Sequence, residues 1–243
     1  MKPFLLLSTR PEDAAADGEL AAFRHFGGLG FNDLERIRLE AVPRPHLHLE
    51  DFSGIIVGGS PFTSSVPTQY KSDSQLRVEA EFADLLDKVV ELDFPFLGAC
   101  YGVGTLGRHQ GGIIDFTWPE PISAAHVELT DDGVGDPILA GVPRNFRADV
   151  GHKEACARLP EHAVLLATSP TCPVQMFRIG RNMYATQFHP ELNYEWLCER
   201  IDIYQDAGYF DPSEIDEVKA RTANIDVSPA HRVIGNFVER YAR

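Results

Sequence analysis

The chain has 243 residues, with 36 acidic against 22 basic side chains and a formal net charge of −14 at pH 7. That balance, with no cluster of Lys and Arg anywhere, argues against a nucleic-acid or anionic-membrane partner. No apolar run reaches the length of a membrane span and residues 3–7 are too short for a signal-peptide core, so the expected location is cytoplasmic. Chains of this length with alternating strands and helices often form one unit, and residues 1–243 are expected to be a single domain. Cys100, Cys156, Cys172 and Cys198 are scattered, with no spacing suited to a metal, so neither a metal nor a cofactor is expected.

In chain order, Phe4–Ser8 reads as a buried parallel strand. Residues 14–26 read as a helix with Asp13 as N-cap, ended by Gly27-Gly28-Leu29-Gly30. That glycine loop does not open a helix after a strand, so it is not a dinucleotide fingerprint. A second strand is expected over 34–39. A third, Ile55–Val57, runs into Gly58-Gly59-Ser60-Pro61. Residues 62–74 are a polar loop long enough to cover a site. Residues 75–92 form an amphipathic helix whose stripe is Leu76, Phe82, Leu85, Leu86, Val89 and Val90.

The next stretch carries chemistry. An apolar run at 94–97 leads into Gly98-Ala99-Cys100-Tyr101-Gly102, and a helix-length segment follows. This is a Gly-x-Cys-x-Gly elbow between strand and helix. A nucleophile at so tight a turn sits in a strained backbone, and side chains two before and two after it are expected to collide with the neighbouring element. The turn lifts the sulfur out of the sheet and aims the positive end of the helix at it. By itself the motif fits a buried small residue in a glycine-rich turn equally well.

Residues 113–179 change character. Short runs at 124–129, 146–150, Val164–Thr168 and 174–179 alternate with Gly, Pro and Asp turns, and 136–140 reads as one helical turn. Residues 183–188 are again an apolar strand, ended by His189-Pro190-Glu191, where Pro190 has no N–H to continue a ladder. The imidazole is thereby held at a strand end, and Glu191 can project to the same side and accept its second N–H. A thiol, a base and a group that orients the base are the parts of nucleophilic catalysis. Helices are expected at 191–207, 212–222 and 229–241.

GIIVGGSP at 54–61, GACYG at 98–102 and QFHPE at 187–191 together resemble, in order and spacing, the class I (triad-type) glutamine amidotransferases. They are most similar to the free-standing proteins like the amidotransferase domain of GMP synthase. The resemblance implies an α/β fold: a three-layer, flavodoxin-like arrangement with a mostly parallel central sheet, helices on both faces and a small β-rich, partly antiparallel portion. It implies Cys100, His189 and Glu191 as the catalytic groups, with the backbone N–H groups of Gly59 and Tyr101 as oxyanion donors. Gly58, Ser60, Gly104, His152 and Glu154 are weaker substrate-binding candidates. The reaction implied is hydrolysis of a small γ-glutamyl amide through a cysteine thioester, with ammonia passed to a separate synthetase. One departure stands out: the family commonly carries a substrate-holding Gln where this chain has Gly104. A γ-glutamyl-amine hydrolase and a catalytically silent regulatory subunit are therefore the alternatives.

Overall fold

The computed structural model describes every residue, Met1–Arg243. Its spine is a nine-stranded sheet in the order β2-β1-β3-β4-β11-β10-β9-β6-β7. Strands β1 (Phe4–Ser8), β2 (Leu34–Arg38), β3 (Ile55–Val57), β4 (Phe96–Ala99) and β11 (Met183–Thr186) are parallel neighbours. Beyond β11 the pairing turns antiparallel through β10 (Met176–Ile179), β9 (Val164–Thr168), β6 (Glu120–Leu129) and β7 (Asn145–His152). The antiparallel portion thus extends the same sheet. A separate two-stranded ribbon pairs β5 (Ile113–Asp115) with β8 (Ala155–Arg158).

The layering follows from alternation along the strands. In β1, Phe4 and Leu6 enter one core while Leu5 and Leu7 enter the other. Period-two geometry requires this of a strand covered on both faces. The first core closes under α1 (Asp13–Gly27) and α7 (Ser228–Tyr241), through Phe23, Val233, Ile234 and Phe237. The second closes under α2 (Asp73–Glu91) and α3 (Tyr101–His109), through Val78, Phe82, Leu85, Tyr101 and Leu106. Three further helices complete the chain: α4 (Asp131–Gly135) between β6 and β7, and α5 (Tyr194–Ile203) and α6 (Ile215–Thr222) after β11.

Two local expectations are corrected. Asp13 is the first helical residue of α1, and the N-cap position falls on Glu12, which makes no side-chain cap bond. In α2 the stripe includes Gln75 rather than Leu76. The Gln75 amide donates to Thr63 O at 2.9 Å and to Glu79 Oε1 at 2.8 Å, which satisfies its burial and ties the loop after β3 to the helix.

Candidate active site

The C-terminal ends of β1, β3, β4 and β11 lie side by side, with Leu7 opposite Val57, Val57 opposite Gly98, and Ala99 opposite Thr186. In open parallel sheets this edge is where sites are built. Each strand delivers one piece: Arg10 after β1, Gly58-Gly59-Ser60 after β3, Cys100 after β4, His189 after β11.

Cys100 has φ 54° and ψ −81°, in the region that L side chains rarely occupy. Such strain, about 1–3 kcal/mol, persists only where surroundings impose it. Two things impose it here: Cys100 N donates to Thr186 O at 2.7 Å, pinning the elbow to β11, and α3 begins at the next residue. A Cβ at Gly98 would fall 2.6 Å from the Cα of Gly102, so the turn closes only without a side chain there. The expectation that Gly102 is equally constrained is not met: a Cβ on Gly102 would meet nothing within 4 Å. The tight side of the elbow is the strand side.

Cys100 and His189 face the same cavity. The His189 Nδ1 faces Glu191 Oε1 at 2.8 Å, leaving Nε2 for the sulfur. Its backbone N–H donates to Asp149 O at 2.8 Å, an isolated bridge that joins the β11 end to β7 and holds the ring in place. Glu191 is wholly buried. Burial opposes its charge, but His189, and Arg200 beyond it, hold its carboxyl below the usual carboxylate range. Burial likewise opposes an imidazolium at His189, yet Glu191 and Cys100 together hold its pKa above the ordinary histidine value.

The N–H groups of Gly59 and Tyr101 donate to nothing in the protein. Gly59 allows a close approach: where its Cβ would stand, Arg10 Nη2 is 2.5 Å away and His189 Cε1 3.0 Å away. Gly58 is not at the cavity: its Cα rests against the buried carboxylate of Glu19 beneath the loop. Ser60 lines the space around Cys100, and its hydroxyl accepts from Phe62 N at 3.0 Å.

The remaining candidates hold the walls. The His152 ring nitrogens are both engaged, Nδ1 with Glu154 O at 3.0 Å and Nε2 with Glu120 Oε2 at 2.8 Å. Glu120, His152 and Cys172 converge closely enough to suggest a metal. Glu120, however, also accepts from Gln175, Thr171 and Ser169, and burial pushes the Cys172 thiol up to about 12, so the cluster is a hydrogen-bonded polar network. Glu154 accepts the N–H groups of Ser64 and Ser65, each at 2.7 Å, which clamps the loop after β3 over the elbow. A side chain at position 104 would begin 2.7 Å from Ser64 Oγ and 3.3 Å from Glu154 Oε1. The loop therefore occupies the room a longer residue at position 104 would need.

Sequence patterns gave no sign of Arg10, Asp149, Arg200, Tyr204 or Tyr209, which also line the space around Cys100, as does Gln187 of the QFHPE motif. The Gln187 amide lies 4.0 Å from the sulfur. The burial of Arg10 and Arg200 has no sequence signature, because it depends on which helix covers the sheet edge.

A strained cysteine at a strand-to-helix turn, an imidazole backed by a buried carboxylate and two free backbone donors define a nucleophile-elbow α/β site. The family model described as "Glutamine amidotransferase class-I" matches residues 33–195, more than half of the chain, and the chain belongs to that family. Among curated relatives, the GMP synthase [glutamine-hydrolyzing] of Neisseria meningitidis serogroup C is 30% identical over 142 residues, 58% of this chain and 25% of that protein. The GMP synthase [glutamine-hydrolyzing] of Thermosipho africanus is 29% identical over 116 residues, 47% of this chain and 22% of that protein. The chain thus spans about a quarter of the length of these relatives. In fold it is similar to the crystal structure of a glutamine amidotransferase from Thermotoga maritima, with TM-score 0.75, 20% identity, and 99% and 98% of the two chains covered. The glutamine amido transferase from Methylobacillus flagellatus gives TM-score 0.70 at 15% identity, covering 100% and 96%.

Proposed function

We propose that this chain hydrolyses a γ-glutamyl amide through a thioester on Cys100. The observation that carries the reading is the backbone of Cys100 at φ 54°, facing the same cavity as an imidazole whose Nδ1 meets the buried Glu191 carboxylate at 2.8 Å. His189 takes the thiol proton, the sulfur attacks the amide carbon and the oxygen becomes negative beside the N–H groups of Gly59 and Tyr101. Such donors contribute a few kcal/mol, about 2.7–4 per donor where measured. The C–N bond then breaks and His189 gives its proton to the departing nitrogen. Water, deprotonated by His189, attacks the thioester; the carboxylate leaves and the sulfur recovers its proton. Glu191 keeps the proton of His189 on Nδ1 and stabilises the imidazolium.

The two relatives named above carry "glutamine-hydrolyzing" in their names, which supports glutamine as a substrate and a separate acceptor enzyme for the ammonia. A second reading has its own support: Ser64 fills the room at Gly104, so the substrate grip differs from the family pattern and an N-substituted γ-glutamyl amide is accommodated by the same chemistry.

The test is amine or ammonia release across glutamine and a panel of γ-glutamyl amides. Cys100→Ser is expected to abolish it while leaving the thermal unfolding curve in place; activity in that variant would overturn the proposal. A glutamine-directed diazo-ketone is expected to alkylate Cys100 ahead of Cys156 and Cys172, whose thiols burial pushes up to about 11 and about 12.

A further inference from the structure

Two cavities meet at Cys100. One runs past Gly104, Glu154 and Gln187; the other opens on the His189 side, toward β1 and α5. The leaving amine must depart on the His189 side, because His189 is the group that protonates it. What lines that second cavity therefore bears on what the leaving amine carries.

Two guanidinium groups stand there. Arg10 is 5% exposed and Arg200 8%. Arg10 spends Nε on Glu19 Oε1 at 2.8 Å and Nη1 on Tyr204 Oη at 3.2 Å. Its Nη2 stands over Gly59 and takes part in neither bond. Arg200 Nη2 is buried with no hydrogen bond; its nearest carboxylate oxygen, Glu19 Oε1, is 3.9 Å away. Glu19 is already shared: Oε1 takes Arg10 and Oε2 takes the Ser8 hydroxyl at 2.8 Å. Glu191 is committed to His189. Asp149 also faces this cavity, but burial, against the pull of His189, pushes its acid up to about 7, so near neutrality much of it is uncharged. Burial and the neighbouring Arg10 pull Arg200 below the ordinary guanidinium value, against the opposing pull of Glu19 and Glu191.

Two buried cations sharing one carboxylate leave a positive charge uncompensated, which is costly unless something negative completes it. Planar guanidinium donors fit carboxylates in geometry and charge. The structure assigns the Nη2 atoms of Arg10 and Arg200 as an anion subsite for the leaving amine, so that the preferred substrate is the γ-glutamyl amide of an amine bearing a carboxylate. This deepens the hydrolytic reading and rests on it for the word "leaving". In the balanced step the S–C bond forms first and the carbonyl oxygen takes the negative charge; the carbonyl then re-forms as the amide C–N bond breaks, the His189 proton goes to the amine nitrogen, and the carboxylate stays ionised on the two arginines throughout.

The experiment compares γ-glutamylglycine with γ-glutamylglycinamide, which differ in that charge. Wild-type kcat/KM is expected to favour the acid by about 10- to 100-fold, the worth of one charge-assisted hydrogen bond. Arg200→Gln is expected to bring the acid-to-amide ratio down by at least about tenfold. Equal kcat/KM for the two substrates in the wild type overturns the subsite, whatever becomes of the variant's folding. Calorimetric binding of both compounds to Cys100→Ser separates the two claims. Tighter binding of the acid with no turnover of any amide by the wild type would retain the anion subsite and sink the hydrolytic reading. Turnover of glutamine and glycinamide compounds with no preference for the acid in rate or binding would do the reverse.

Discussion

Replacing Glu191 by Gln preserves volume and removes one buried charge. Its Oε1 accepts the Nδ1 proton of His189 at 2.8 Å, and its Oε2 has no partner. A hydrogen bond to a charged group is worth about 1.5–3 kcal/mol, or roughly 10- to 100-fold in rate. A further loss comes from the tautomer. The glutamine amide can present its NH2 to Nδ1, which forces the ring proton onto Nε2, where it blocks acceptance of the thiol proton. Together these are expected to lower kcat by about 10³- to 10⁴-fold, the scale on which orienting carboxylates act in triads. Stability changes too, with a sign fixed by the shifts. Glu191 is held below its ordinary 4.5, so its contribution is present above pH 4.5 and lost as pH falls through its native value. His189 is held above its ordinary 6.5, so its contribution is present below pH 6.5 and lost as pH rises through its native value. Wild type should therefore exceed Glu191→Gln in urea-unfolding free energy most between pH 4.5 and 6.5, with the gap shrinking on both sides. Steady-state amine release gives the first quantity and urea titrations across pH the second. Near-wild-type kcat, or a stability gap that does not vary with pH, would refute the reasoning.

Three other perturbations read different parts of the structure. Gly98→Ala places a methyl 2.6 Å from the Cα of Gly102 and is expected to cost about 1–3 kcal/mol in urea unfolding, whereas Gly102→Ala, facing open space in α3, should cost less than about 1 kcal/mol; equal costs would contradict the one-sided elbow. Glu154→Ala removes the acceptor of two backbone N–H groups, so the amides of Ser64 and Ser65 should exchange with deuterium at least about tenfold faster and KM should rise more than kcat falls. Gly104→Gln drives a side chain into Ser64 Oγ and is expected to destabilise by about 1–3 kcal/mol, relieved when combined with Ser64→Gly; additive costs in the double variant would show that the two positions do not share one space.

Much of the architecture was written locally. The five-residue strand Phe4–Ser8 and the three-residue strand Ile55–Val57 fall where apolar runs between turn residues predict them, because burial on both faces favours apolar residues at successive positions. The elbow and the strand-ending His-Pro-Glu were legible for the same reason: a tight turn and a missing N–H impose their cost on adjacent residues. Other features were not. The ribbon of β5 and β8 is too short to carry a period, and its partners are far apart in sequence. Gln75 is buried where Leu76 was expected, because a distant loop carbonyl, Thr63 O, satisfies its amide.

What this sequence determined alone is the set of groups whose local placement follows from their immediate neighbours: the cysteine at the bend, the histidine halted by a proline, the carboxylate two residues on. What only the tertiary structure decided is the company they keep. The parallel order β1-β3-β4-β11 brings Arg10 to the loop at Gly59, and the packing of α5 brings Arg200 beside the same buried Glu19. Those meetings depend on how the sheet is threaded and covered, and sheet order is a property of long-range pairing energies that no short window of residues contains.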